Sequence, residues 1–182
     1  IEFPKIRKSL PKYLTLEEST ALLRAVDGSN QTRDFAILML FLNCGIRRSE
    51  LVNLNLSDVY EDRIRVIGKG NKERVVYFNA RTKLHLQQYL DERTDDNPAL
   101  FVSLHSPHTR LTISGVEVRI RELGKSLSMP KVHPHKFRRT LATMAIDKGM
   151  PIEQVQRLLG HVKIDTTLHY AMVNQANVKM AH

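Results

Sequence analysis

At 182 residues with 42% apolar side chains, the chain is long enough for one domain with a sizeable core, and its composition is that of an ordinary globular protein. No apolar run reaches the roughly 20 residues of a bilayer-spanning helix, nothing at the start reads as a signal peptide, and one cysteine, Cys44, excludes an internal disulfide or a cysteine-rich metal site. Twenty-eight Lys and Arg against 19 Asp and Glu give a net charge of +9, which points to a polyanionic partner. No basic amphipathic helix with a large aromatic face is present, so nucleic acid ranks above an anionic membrane. Cys44 lies in an apolar run and reads as a small buried residue; a reducing, cytoplasmic setting is the expectation.

In chain order, residues 1–13 are basic and punctuated by proline (Lys5, Arg7, Lys8, Pro11, Lys12) and read as a linker into a domain. The chain opens on Ile1, as a piece of a longer protein would. Thr15-Leu-Glu-Glu18 has the form of a capping box and opens a helix to about Val26. Gly28-Ser-Asn interrupts, a strongly apolar helix follows over 32–43, Gly45 ends it, and a short helix starts at Arg47 or Arg48. The period then changes to alternation: Asp62–Ile67 and Glu73–Phe78 predict two strands, with Gly68-Lys-Gly-Asn71 as their hairpin turn. A helix over 80–93, a loop over 94–98, a short strand over 99–104 and a helix over 114–128 come next. Helix 135–148 stops at Gly149, and Pro151 opens another that ends at Gly160. A short helix over 166–170 and a tail from Asn174 complete a mostly α chain with a small antiparallel sheet.

Four segments place cations or imidazoles beside turns and helix ends: Gly45-Ile-Arg-Arg-Ser-Glu-Leu51, Ile67-Gly-Lys-Gly-Asn-Lys72, His133-Pro-His-Lys-Phe-Arg-Arg-Thr140 and Leu159-Gly-His161 through Tyr170. Each alone has a plain structural reading. A basic pair at a helix start is electrostatically disfavoured, however, which hints at another task for Arg47 and Arg48. Together the segments suit attack on a phosphodiester. Paired guanidinium groups clamp the non-bridging oxygens, cations stabilise the charge of the transition state, a turn lysine protonates the leaving oxygen, and histidines move protons near neutral pH.

In spelling and order these segments resemble the signature boxes of the tyrosine recombinases, or phage-type integrases, in a Xer-like form. The family's Gly-Leu-Arg-x-Ser-Glu-Leu box is similar to Gly45–Leu51, its β-hairpin lysine falls in Gly68-Lys-Gly-Asn-Lys-Glu-Arg74, its His-x-x-Arg box on His135–Arg138, and its Leu-Gly-His segment on Leu159–His161. The resemblance implies catalytic Arg47, Lys69, His135, Arg138 and His161, with Glu50 in support, and a nucleophile at Tyr170, nine residues after His161. Either His135 or His161 can assist deprotonation of the phenol. His133 lies close to the box, but His135 has the right spacing to Arg138. One departure is Arg139, where many relatives carry histidine.

The resemblance also implies the fold of a DNA breaking-rejoining enzyme, with residues 14–173 as the catalytic domain and 1–13 as the linker from a missing N-terminal core-binding domain. Residues 174–182 become a tail exchanged between subunits. Double-stranded DNA is the implied partner, bound by a homotetramer on paired sites, with a monomer for the isolated domain and no membrane. No nucleotide, metal or other cofactor is implied, and without Cys ligands or a His-Glu-x-x-His helix the eight histidines do not suggest zinc. Mobile-element integration and excision is the expected role and Xer-type chromosome-dimer resolution the alternative. A different class also remains: Pro151–Gly160 and the following helix read as the helix-turn-helix of a non-enzymatic DNA-binding regulator.

Overall fold

The structure, a computed structural model, describes residues 14–26, 31–129, 132 and 134–159. These residues form seven α-helices and one two-stranded antiparallel sheet. The expected helices over 166–170 and the tail lie outside the described residues.

Helix α1 (Leu16–Ala25) starts with the expected reciprocal cap: Thr15 Oγ1 accepts from the Glu18 N–H at 3.1 Å, and Glu18 Oε1 accepts from the Thr15 N–H at 3.0 Å. Helix α2 (Gln31–Cys44) is buried along most of its length and forms the spine of the core. It packs against α4 (Ala80–Glu92) and α6 (Pro134–Asp147), and the rings of Phe41 and Phe137 stack at 5.7 Å between centroids. The main core includes Leu38, Leu40, Ile46, Leu51, Ile64, Val66, Leu86, Leu100 and Ile120; a second, smaller cluster of Ala142, Ala145 and Val155 joins α6 to α7 (Ile152–Leu159). Burying α2 also buries Asp34, whose carboxylate is shared by Arg33 Nη2 at 3.0 Å and by Arg119 Nε of α5 (Ile113–Ser126) at 2.5 Å. A buried charge with two guanidinium partners fixes the roll of α2 against α5.

Gly45, at φ 63°, ends α2 in the left-handed region. Helix α3 (Arg48–Asn53) then starts at once, and the Arg110 guanidinium closes its far end by donating to the carbonyls of Val52 at 2.7 Å and Leu54 at 3.0 Å. Strands β1 (Arg63–Ile67) and β2 (Glu73–Tyr77) pair in the register Arg63 with Tyr77 and Ile67 with Glu73. Their tip is a single turn of 3-10 helix, Lys69–Asn71, with Gly70 at φ 74° and Asn71 at φ 57°. The expected hairpin turn over Gly68–Asn71 takes this 3-10 form, and glycine and asparagine hold its left-handed positions.

The expected strand over 99–104 is not formed. Two isolated bridges, Asn55 with Ala99 and Val102 with Arg110, cross that segment instead. The segment is held by side chains: the Tyr89 hydroxyl donates to the Leu100 carbonyl at 2.9 Å, and Arg93 Nη1 donates to the Ala99 carbonyl at 2.7 Å. The consecutive apolar residues Ala99 to Val102 therefore bury without a full neighbouring strand to pair with. Pro151 stands just ahead of α7 and accepts from the Gln154 and Val155 N–H groups; Gly160 lies outside the described residues. No helix among the described residues is long and apolar enough to cross a membrane.

Burial at the end of α2 pushes the Cys44 thiol up to about 12. Native protein is expected to resist alkylation of Cys44 at neutral pH and to react promptly once denatured. Equal labelling rates in the two states would place this thiol outside the core.

Candidate active site

The site grows from the junction of α2 and α3. Arg47 is the N-cap of α3, partly buried, in extended conformation at φ −80° and ψ 155°. Serine or aspartate would ordinarily cap from this position. Here the orphan N–H of Arg47 is taken up from the other direction, by Glu50 Oε1 at 2.8 Å. Glu50 is only 3% exposed. Its carboxylate is forked by the Arg74 guanidinium: Arg74 Nη2 donates to Oε1 at 3.0 Å, and Nη1 donates to Oε2. One buried carboxylate thus joins the start of α3 to β2.

The same carboxylate touches the hairpin tip. A side-chain carbon added at Gly68 would stand 3.2 Å from Glu50 Oε2 and 3.7 Å from Arg74 Nη1. Gly68 also closes the tip, its N–H donating to the Lys72 carbonyl at 2.8 Å. Lys69 follows Gly68 directly and is exposed on the 3-10 turn. On the outward side Arg65 pairs with Asp58 through Nη2 at 2.8 Å, which ties β1 to the short 3-10 helix Leu56–Asp58.

Arg138, on α6, is 4% exposed and donates through Nη1 to the Gly45 carbonyl, two residues before Arg47. Its charge also bears on Glu50. Burial pushes the Glu50 carboxyl up, but the Arg74 fork, the Arg47 N–H and the Arg138 charge outweigh it, and the pKa lies below its ordinary 4.5. The described part of the site is therefore a set of cations arranged round one ionised carboxylate. Such a set offers guanidinium groups to an oxyanion while keeping their mutual repulsion in check.

Of the residues singled out in the sequence, the structure gathers Arg47, Glu50 and Arg138 round the α2–α3 junction and brings the turn carrying Lys69 against Glu50. His135 lies in the first turn of α6, three residues before Arg138, and its side chain is outside the described residues. His161 and Tyr170 also lie outside the described residues. Glu50 meets Arg47 through the backbone N–H, whereas helical spacing alone suggests two side chains on one face. Arg74 is the member of this cluster that the sequence patterns did not single out. A signal was available: Arg74 pairs with Val66 and shares the inward face of β2 with buried Val76, and an arginine at an inward strand position needs a buried acid.

Comparison with known proteins follows the same lines. The fold is that of tyrosine recombinase catalytic domains. A crystal structure of XerA recombinase superposes with a TM-score of 0.83 at 36% identity, over 95% of this chain and 64% of that one. A structure of XerH site-specific recombinase bound to palindromic difH substrate superposes with a TM-score of 0.80 at 23% identity, over 95% and 53%, a likeness of fold. The chain belongs to the phage integrase family, whose model matches residues 12–177. The tyrosine recombinase XerC of Caldanaerobacter subterraneus subsp. tengcongensis is 41% identical over 100% of this chain. The chain spans 53% of the length of that relative.

The depressed pKa of Glu50 has a definite sign in stability. The unfolded chain binds the proton more tightly, so the pair's contribution is fully present above the ordinary 4.5 and is lost as pH falls through the lower folded-state value. Glu50→Gln should cost about 3 kcal/mol at neutral pH by leaving Arg74 without its buried partner. Denaturant melts between about pH 7 and pH 3 should show the wild type losing that advantage on acidification. A gap independent of pH would mean that Glu50 is not ionised in the folded protein.

Proposed function

We propose that this chain is the catalytic portion of a site-specific DNA recombinase, in which Tyr170 cuts and rejoins DNA through a covalent bond. The observation that carries the reading is the Glu50 cluster. It takes the Arg47 N–H and lies within the charge of Arg138, which donates to the Gly45 carbonyl, and the Lys69 turn rests on the same carboxylate. Family membership supports assigning the chemistry to these positions.

In this scheme the Tyr170 oxygen attacks phosphorus and gives its proton to His135 or His161. Arg47, Arg138 and His161 hold the non-bridging oxygens as their charge grows. The bond to the 5′-oxygen breaks while Lys69 delivers a proton to that oxygen. The products are a 3′-phosphotyrosyl bond and a free 5′-hydroxyl. Attack by a 5′-hydroxyl of a partner strand reverses the step, so the phosphodiester energy is kept and no nucleotide cofactor or metal enters the scheme. Double-stranded DNA is the substrate, and a homotetramer on paired sites exchanges strands. Residues 1–13 act as the linker from a core-binding domain, 14–173 as the catalytic domain, and 174–182 as a tail docking on a neighbouring subunit. The XerH structure bound to its difH substrate supports DNA as the partner.

Of the two biological roles, Xer-type resolution of chromosome dimers is supported by relatives named XerC and, at 35% identity in Pyrococcus horikoshii, XerA. The expectation of mobile-element integration has no comparable support, since the integrase structures it matches stand at 20% identity or less. Genes flanking the locus would decide between the two.

On a nicked suicide DNA duplex, the protein should give an adduct that survives denaturing electrophoresis and disappears in Tyr170→Phe. Tight, specific binding without an adduct would favour the helix-turn-helix regulator. The 182-residue chain alone should bind DNA weakly and with a steep salt dependence, since phosphate contacts dominate. Tight binding to one sequence at physiological salt would show that no further DNA-binding region is needed.

A further inference from the structure

The bidentate pair between Arg74 and Glu50 joins two parts of the site that are otherwise held in very different ways. Helix α3 is secured at both ends without it. Leu51 and Val52 are buried, Arg110 closes the C-terminus through two carbonyls, and Arg48 pairs with Glu117 of α5. The body of the hairpin is anchored as well, by buried Ile64, Val66 and Val76. The tip is different. From Ile67 to Glu73 every side chain is exposed or absent, and Gly70 and Asn71 hold left-handed conformations. Beyond the last strand pair, Ile67 with Glu73, and the exposed Arg65–Glu73 pair, its fixed points are the Gly68–Lys72 hydrogen bond and the approach of Gly68 to the forked carboxylate.

We propose that Arg74 is a positioning residue for strand cleavage, acting through Glu50 to set the height of the hairpin tip and so the place from which Lys69 delivers its proton. This rests on the reading of Lys69 as the proton donor to the leaving oxygen. Two guanidinium nitrogens on two carboxylate oxygens define an orientation as well as a distance, which a lysine ammonium does not. Glu50 Oε2, held by Arg74, forms the surface on which Gly68 sits, immediately before Lys69. Gly68 has φ −93°, accessible to any residue, so contact with the carboxylate is what favours glycine there.

A residue that places a general acid leaves a chemical signature that a merely structural residue does not. A substrate whose scissile 5′-oxygen is replaced by sulfur releases a thiolate, which leaves without protonation. Single-turnover cleavage is measured at saturating protein and low salt on matched nicked duplexes with oxygen or sulfur at that position. Arg74→Lys and the double variant Glu50→Gln/Arg74→Met are compared with wild type and with Lys69→Ala. The double variant removes the Glu50 and Arg74 charges together and keeps an acceptor for the Arg47 N–H, so it guards against a variant that simply unfolds.

The expected result is a loss of about 10²-fold on the oxygen substrate in the double variant, the scale of a displaced catalytic group. The sulfur substrate should return it to within about threefold of wild type, as it does Lys69→Ala; removing general acid catalysis alone costs about 10² or more. Arg74→Lys should fall between. Wild-type rates on the oxygen substrate in both Arg74 variants would overturn the proposal. So would an equal loss on both substrates, which marks a general role in folding or phosphate binding. If the wild type cleaves both substrates but Lys69→Ala loses no rate on oxygen, or loses it equally on sulfur, the assignment of Lys69 falls and takes the proposal with it.

Discussion

Ionised Glu50 is the constraint on which the described site depends. Burying a carboxylate in a protein interior costs several kcal/mol unless hydrogen bonds and opposite charge surround it. Here they come from three elements: the backbone N–H of Arg47, the guanidinium of Arg74 on β2, and the charge of Arg138 on α6. Each of these groups needs the carboxylate in turn. Arg47 would otherwise begin a helix with an unsatisfied donor, and Arg74 would carry an unpaired charge on the inward face of a strand. The mutual dependence makes the cluster a unit, formed only when α3, the hairpin and α6 are all in place.

What brings them together is the buried helix α2. Because it is apolar on nearly every side, α4 and α6 can both pack on it, and its C-terminal end delivers Gly45 beneath Arg138. The left-handed Gly45 turns the chain so that α3 starts three residues later. A second buried acid, Asp34, lies near the opposite end of α2 and is shared by Arg33 and Arg119. The spine is thus held by guanidinium groups near both ends, through the Asp34 carboxylate at one and through the Gly45 carbonyl just past the other.

How much of this was legible depended on whether the signal was local. The Thr15–Glu18 capping box, the apolar period of α2, the alternation of β1 and β2 and the stops at Gly45 and Gly149 are patterns of neighbouring residues, and the elements formed where they indicated. The segment 99–104 carried a short apolar run, Ala99 to Val102, and formed no strand, since it meets its neighbours only at isolated bridges and is held as well by the side chains of Arg93 and Tyr89. At the candidate site, Arg47, Glu50, Lys69 and Arg138 were singled out by their boxes, and the structure brings these segments together. The bond between Glu50 and Arg74 was not, because it spans 24 residues. Only the inward register of Arg74 hinted at it.

Under the proposed function, Arg47 shows how a demand of the site reshapes local chemistry. A cation at a helix N-terminus meets the positive end of the macrodipole, at a cost of roughly 0.3–1 kcal/mol. A capping Ser or Asp would remove that cost and supply a side-chain acceptor worth about 1 kcal/mol. The fold supplies the acidic half of a capping box without its usual partner: Glu50, three residues on, takes the Arg47 N–H. The guanidinium is left out of the capping, and a charge unfavourable for the helix stands at the N-cap position. The negative charge that offsets it is buried on the protein side of the helix start, where it also fixes Arg74. A more exposed acid would offset the helix dipole equally well, but it would compete with a phosphate for the same guanidinium groups. Burial is what allows one carboxylate to organise cations without occupying their outward faces.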